Sequence, residues 1–267
     1  MNLYKDSDKI FLRKDAGKPD YNRRLKKQFI KQKLFKLAEV KTPVIYDYGL
    51  DKNGVFYFDM EFINGITLAE SMKSIKIKEI VDLIGLLFRS LPISDGVINT
   101  KSQEIFQNKI SALSRTCDIA NSNVAEALAM LRDFDFSGVP QSACCGDLTL
   151  ENILLGSTDI YIIDLLDSFY NSWMIDVAKL LQDLELGWSY RNQQTDFNLN
   201  LRLATAKQAL FDNLLAINGG KQYLFVIYHI LLLNVLRIYP YTKDEKTMNF
   251  LDSAVQKVIS VIREMEK

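Results

Sequence analysis

Apolar positions along the chain follow two different periods, and the change between them divides it. Lys9–Arg13 (KIFLR) alternates and predicts a short strand, broken by the Gly and Pro within Asp15–Asp20. From Tyr21 to Leu37 the residues Leu25, Phe29, Ile30, Leu34 and Leu37 recur at helical spacing and predict an amphipathic helix that Pro43 stops. Val44–Tyr48 and Val55–Phe62 are β-branched and aromatic runs separated by Gly49–Gly54, which predicts a hairpin. After Gly65 the period is helical, over 77–91, 101–116, 122–133, 174–186, 197–216, 221–238 and 244–265. One island of strand interrupts it: Asn152–Leu155 and Ile160–Ile163 flank Gly156–Asp159 as a second hairpin. The expected fold class is α+β, with a small N-terminal β-rich lobe over residues 1–64 and a large, mainly helical C-terminal lobe over 65–267.

Composition narrows the function classes. The chain has 267 residues, 48% hydrophobic and 25% charged, which suits a globular protein with its own core. The N-terminus has no apolar run of signal-peptide length. The most apolar stretch, Tyr223–Leu236, is interrupted by His229 and Asn234 and is shorter than the roughly 20 residues a bilayer needs, so it is read as a core helix, with no membrane insertion. Lys+Arg and Asp+Glu balance at 33 each, which argues against a nucleic-acid partner. Three cysteines and one histidine are too few for a structural zinc cluster and suit a reducing, cytoplasmic setting. The neutral total is uneven: residues 1–60 hold 14 Lys+Arg against 8 Asp+Glu, and the remainder 19 against 25.

Chemistry gathers around the second hairpin. Cys144-Cys-Gly-Asp-Leu-Thr-Leu-Glu-Asn152 enters it and Ile160-Tyr-Ile-Ile-Asp-Leu-Leu-Asp167 leaves it. An antiparallel hairpin returns the chain beside its start, so Asp147, Asn152 and Asp164 can converge at one end. Two carboxylates and a carboxamide offer hard oxygen ligands suited to magnesium, and a carboxylate left free of metal can accept a proton from a hydroxyl. Singly, each of the three also reads as a cap or turn residue.

The Asp-to-Asn spacing resembles the catalytic loop H-R-D-L-x-x-x-N of protein kinases, with Asp164 where the D-F-G aspartate would stand. More closely, Gly146-Asp-Leu-Thr-Leu-Glu-Asn152 and Ile163-Asp164 resemble the G-D-x-x-x-x-N and I-D pair of the aminoglycoside phosphotransferase and choline kinase superfamily. Asp176-Val-Ala-Lys-Leu-Leu-Gln182 looks like the helix that follows, and Met60-Glu-Phe-Ile-Asn-Gly65 resembles the hinge between lobes. The resemblance implies a two-lobed protein-kinase-like fold and an ATP- and magnesium-dependent phosphotransferase acting on a hydroxyl of a small polar acceptor, of sugar, aminoglycoside or amino-alcohol type. It implies Asp147 as catalytic base, Asn152 and Asp164 as magnesium ligands, and backbone groups of Glu61 and Ile63 at adenine. Arg13, or alternatively Lys14, takes the place of the strand lysine on the phosphates, since strand alternation turns only one of them inward. Asp183, Glu185 and Trp188, with Tyr190, follow closely enough to be expected in the acceptor pocket, their carboxylates suited to a cationic or polyhydroxyl acceptor.

The sequence departs from that pattern at three points. Cys145 replaces the histidine of the loop; no G-x-G-x-x-G occurs among the twelve glycines, and only eight residues precede the strand at Lys9. The helix from Tyr21 to Ala38 has no carboxylate to pair with the strand cation, and Gln28 is expected in its place. These departures motivate an alternative, a kinase-fold nucleotide-binding or scaffold protein with little or no turnover. The same helix carries Arg23, Arg24, Lys26, Lys27, Lys31, Lys33 and Lys36, read as a solvated face rather than a dock for an anionic partner.

Overall fold

The computed structural model describes residues 2–6, 9–93 and 96–267. The N-terminal part is an antiparallel sheet built from β1 (Asn2–Asp6), β2 (Lys9–Asp15), β3 (Ile45–Leu50) and β4 (Phe56–Glu61), in the order β1-β2-β4-β3. Helix α1 (Asn22–Leu34) lies across it. Its Leu25 and Phe29 pack with Phe56, Phe58 and Met60 of β4, each fully buried aromatic or aliphatic side chain contributing about 1.5–3 kcal/mol.

Strand β1 has no counterpart among the elements expected from the sequence. Its residues pair with β2 in the register Asn2↔Arg13 to Asp6↔Lys9, and Tyr4 stacks on Phe11. Leu3 and Tyr4 are exposed, so the strand lies at a sheet edge with too little buried apolar surface to register in the pattern of positions.

From Gly65 the chain forms β5 (Ile66–Thr67), α2 (Leu68–Ser71), α3 (Ile77–Ser90), β6 (Val97–Ile98), α4 (Ser102–Thr116), α5 (Ser122–Asp133) and β7 (Pro140–Gln141). The second hairpin follows as β8 (Ile153–Leu155) and β9 (Ile160–Ile162). Four helices complete the chain: α6 (Trp173–Leu184), α7 (Phe197–Ala216), α8 (Gly220–Leu236) and α9 (Glu245–Met265). Asn121, Ser172, Asp196 and Asp244 cap α5, α6, α7 and α9 through side-chain oxygens, which is why these helices begin where they do.

The large core is organised around α8. Gly220–Tyr241 is long and apolar enough to cross a bilayer by length and composition, at mean hydropathy 1.5. Here α8 is sheathed by α6, α7 and α9, and Ile227 and Ile230–Leu233 are fully buried. His229 within it stacks on Phe134 and meets the Phe225 carbonyl at 2.9 Å, as a satisfied core side chain.

Two attachments fix the hairpin between the sheet and the helices. Strand β5 pairs with β8, and the segment before β3 pairs with β9 through Lys41 N–H to Ile160 O and Ile162 N–H to Lys41 O, both at 2.8 Å. Gly65 makes the first attachment possible, because a Cβ there would stand 2.5 Å from the Leu155 carbonyl oxygen.

Candidate active site

The chain around the hairpin is folded onto itself by backbone bonds. Ile163 N–H donates to Asn152 O, and Leu166 N–H to Cys145 O, both at 2.9 Å, so residues 145–152 and 163–166 lie side by side. Gly146 permits this: its φ is 88°, and a Cβ would meet Ser168 Oγ at 2.2 Å and Leu166 O at 2.8 Å.

Asp147, Asn152 and Asp164 are thereby brought together. Asn152 Nδ2 donates to the Asp147 carbonyl at 2.9 Å and to its carboxylate at 3.1 Å. Its amide nitrogen is thus engaged, and Oδ1 is the atom left to serve as a hard ligand. Asp164 has φ 54° and is the one non-glycine residue with positive φ among the described residues, a strain that tends to occur where a side chain must be aimed. Lys14 Nζ donates to its Oδ1.

Lys14, and not Arg13, therefore faces the hairpin. Arg13 points to the other side of β2, where Nε and Nη2 donate to the two oxygens of Asp59, both at 2.6 Å, and the guanidinium lies over the Tyr57 ring. Alternation along the strand assigned one residue to each face, and the partner on β4 decides which: Asp59 is opposite Arg13 in register.

Helix α6 braces the loop from behind. Asp176 and Asp183 are seven residues apart, two helical turns, and lie on one face. The Asp176 carboxylate, 1% exposed, accepts from the N–H groups of Cys145 and Gly146 at 2.8 Å and from both neighbouring thiols. Burial raises its pKa, and these donors oppose the rise. Cys145 thus serves the loop as a hydrogen-bond donor, and burial pushes both thiols well up, away from the thiolate form.

Asp183 accepts from Leu150 N–H and Ser189 N–H at 2.7 Å and is pushed up to about 6 by burial. The structure places it as a buried brace of the loop rather than on an open surface. Glu185 is also withdrawn: buried, it is held by Lys207 and Lys257 at 2.9 Å and by the Tyr228 hydroxyl at 3.1 Å. Trp188 packs on Phe250 and under Arg191, and the Tyr190 hydroxyl donates to Ala69 O. None of the four touches Asp147: Asp183 meets the loop at Leu150 N–H, and the chain beyond α6 leads Glu185, Trp188 and Tyr190 to other partners.

A residue that sequence reasoning passed over stands beside Asp147. Lys179 lies between Asp176 and Asp183 on the same face of α6, and its Nζ is 3.1 Å from Asp147 Oδ1. The spacing 176, 179, 183 was the available signal.

At the hinge, Glu61 is tied to the start of β3: its N–H donates to Val44 O at 2.8 Å and its carboxylate accepts from Val44 N–H at 3.2 Å. Ile63 follows β4 outside any strand, half-buried. Helix α1 reaches the segment after Asp164 with cations. Lys27 pairs with Asp167 at 2.8 Å, and Lys31 donates to Leu166 O at 2.6 Å and to Asn171. Part of its basic face is therefore an internal fastening onto the segment after Asp164, while Gln28 is buried within the small lobe.

No protein-family model matches the sequence, and no curated protein sequence matches it. Solved structures do match in shape. A thermostable variant of aminoglycoside phosphotransferase APH(4)-Ia, in ternary complex with ADP and hygromycin B, aligns over 98% of this chain and 88% of its own, at 12% identity and TM-score 0.64. This chain has the aminoglycoside phosphotransferase and choline kinase fold. Choline kinase LicA from Streptococcus pneumoniae aligns over 97% of this chain and 89% of its own at 20% identity and TM-score 0.53. A GDP complex of an aminoglycoside 2'-phosphotransferase-IIIa variant aligns over 99% and 90% at 13% identity and TM-score 0.57. Within this kinase-like fold the two-lobed α+β arrangement expected from the sequence is the one observed.

Proposed function

We propose that the protein is a nucleotide- and magnesium-dependent small-molecule kinase, which transfers the γ-phosphoryl group of ATP to a hydroxyl of a small polar acceptor. The observation that carries this reading is the convergence of Asp147, Asn152 and the Lys14–Asp164 pair at one end of the hairpin. Residues 1–64 would act as the nucleotide lobe and 65–267 as the catalytic and acceptor lobe. Glu61 and Ile63 would border adenine, and Lys14 takes the phosphate-binding role over Arg13, which Asp59 occupies. Asn152 Oδ1 and the Asp164 carboxylate form a hard-oxygen donor set that fits magnesium, which when bound neutralises charge on the phosphate oxygens.

Asp147 orients the acceptor hydroxyl and takes its proton as the new O–P bond forms and the bond from Pγ to the bridging oxygen of ADP breaks. Lys179 fixes the rotamer of the Asp147 carboxylate from one side while Asn152 fixes it from the other. The three free, buried cysteines support a reducing cytoplasmic setting.

The test is ADP formation from ATP with magnesium over a panel of hydroxyl acceptors, alongside nucleotide-dependent thermal shifts. Acceptor-dependent ADP release supports the reading. A magnesium-dependent shift without turnover on any acceptor leaves a nucleotide-binding scaffold instead.

A further inference from the structure

A cavity of about 440 Å³ opens beside Lys179, between α4, α6 and the end of α8. Lys109 of α4, Lys179 of α6 and Arg237 just after α8 line it, together with Asn234 and Tyr241. Three cations from three helices thus share one small space in a lobe whose overall charge is negative.

Their partners do not neutralise them. Lys179 is engaged by Asp147, which also lies within electrostatic reach of Arg237. Among the described residues Lys109 and Arg237 form no ion pair; Arg237 meets Asn234 Oδ1 at 3.1 Å and the Phe169 ring at 5.2 Å, both uncharged. Burial lowers the pKa of Arg237, and burial together with Arg237 lowers that of Lys109, the signature of like charges crowded away from water.

A second observation is independent of charge. Asn234 is 1% exposed, and its Nδ2 is buried with no hydrogen-bond partner. Leaving such a donor unsatisfied is destabilising, and Asn234 is one of the residues that line the cavity. Lys109, Arg237 and Asn234 together offer an ammonium, a planar fork of N–H groups and an amide N–H, the donor set that recognises a phosphate or carboxylate.

We infer that this cavity takes the anionic group, a phosphomonoester or a carboxylate, of a small acceptor whose hydroxyl is presented to Asp147. The inference rests on the phosphotransfer reading for the role of that hydroxyl, but not for the anion site itself. An amine-bearing acceptor would meet like charges here, and the carboxylates expected to receive one, Asp183 and Glu185, are consumed elsewhere.

Calorimetric titration of the full chain tests it, with magnesium and a non-hydrolysable ATP analogue present. The probes are a hexose 6-phosphate, the matching hexonic acid, the neutral hexose and the hexosamine. One anionic probe should bind at least about tenfold more tightly than the neutral and cationic ones, and which one it is distinguishes phosphate from carboxylate. Lys109→Gln should remove that preference, whereas Lys78→Gln, an exposed change on α3, should keep it. Arg237→Met serves as a second variant where it folds; the half-exposed Lys109 carries the test without it. Equal binding of all four probes, or an undiminished preference in Lys109→Gln, overturns the inference. ADP release in the same mixtures separates the two readings. Selective anion binding without turnover keeps the anion site and removes the phosphotransfer role, and turnover confined to neutral or cationic acceptors does the reverse.

Discussion

Lys14 on β2 and Asp164 behind the hairpin form an ion pair between residues 150 positions apart, joining the sheet to the segment that leaves the hairpin. Its neighbour Arg13 is bound by Asp59 on the opposite face of the same strand. Two adjacent cations thus have separate partners, one facing the hairpin and one within the sheet.

Lys14→Met is therefore expected to weaken nucleotide binding by about tenfold or more, with little change in folding stability, since one phosphate-directed charge is lost. Arg13→Met is expected to do the opposite. It strands the Asp59 carboxylate, 5% exposed, and lowers stability by about 1–3 kcal/mol while nucleotide affinity holds. Nucleotide-induced thermal shift and denaturant unfolding of both variants check the pair.

Gly146 is constrained by conformation and by space, and Gly138 by neither. Gly146→Ala is expected to cost at least about 2 kcal/mol and to abolish turnover, because the added Cβ would collide with the Leu166 carbonyl. Gly138→Ala should lie within about 0.5 kcal/mol of the parent. Urea unfolding of the two reads the difference directly.

Asp176→Ala removes the acceptor for two buried N–H groups and two thiols at once. The expected loss is about 3 kcal/mol or more in urea unfolding, together with faster amide exchange at Cys145 and Gly146. Unchanged exchange at these two amides would show that the loop does not depend on α6.

His229 sets an acid limit on stability. Burial holds its imidazole down to about 4, against about 6.5 in an unfolded chain, so between these values the unfolded state binds more protons. Its contribution is complete above about pH 6.5 and is lost as pH falls through 4, a change of about 3 kcal/mol. Asp183, pushed up to about 6, works in the opposite direction below that pH. His229→Phe keeps the stack on Phe134 and should lose the histidine's share of the slope, seen as parent-minus-variant stability rising between pH 4 and 6.5.

Most helices were legible in the sequence because each buries apolar residues at helical spacing, and both hairpins because β-branched and aromatic runs flank glycine-containing turns. Helices expected over 122–133 and 197–216 are observed as Ser122–Asp133 and Phe197–Ala216. Strand β1 was not legible: its buried partner surface is small, and Tyr4 gains its ring contacts from Phe11 and Arg13 on the neighbouring strand. The Asp147, Asn152 and Asp164 group could be read because one hairpin brings its members together within a short span of chain. Lys109, Lys179 and Arg237 meet from three helices with no shared local pattern, so only the packing of α4, α6 and α8 reveals them. The choice between Arg13 and Lys14 turned on Asp59, a partner that strand alternation alone does not name. The partners of Asp183 and Glu185 were not legible either, since Leu150 N–H and the α7 and α9 lysines reach them only through tertiary packing.

The measurement closest to the central claim compares Asp147→Asn with the parent in single-turnover transfer from ATP with magnesium, using an acceptor that the parent phosphorylates. Transfer should fall by about 10²–10⁴-fold while the nucleotide-dependent thermal shift is retained, since Asp147 acts on the acceptor hydroxyl. Equal transfer rates for the two proteins would contradict it.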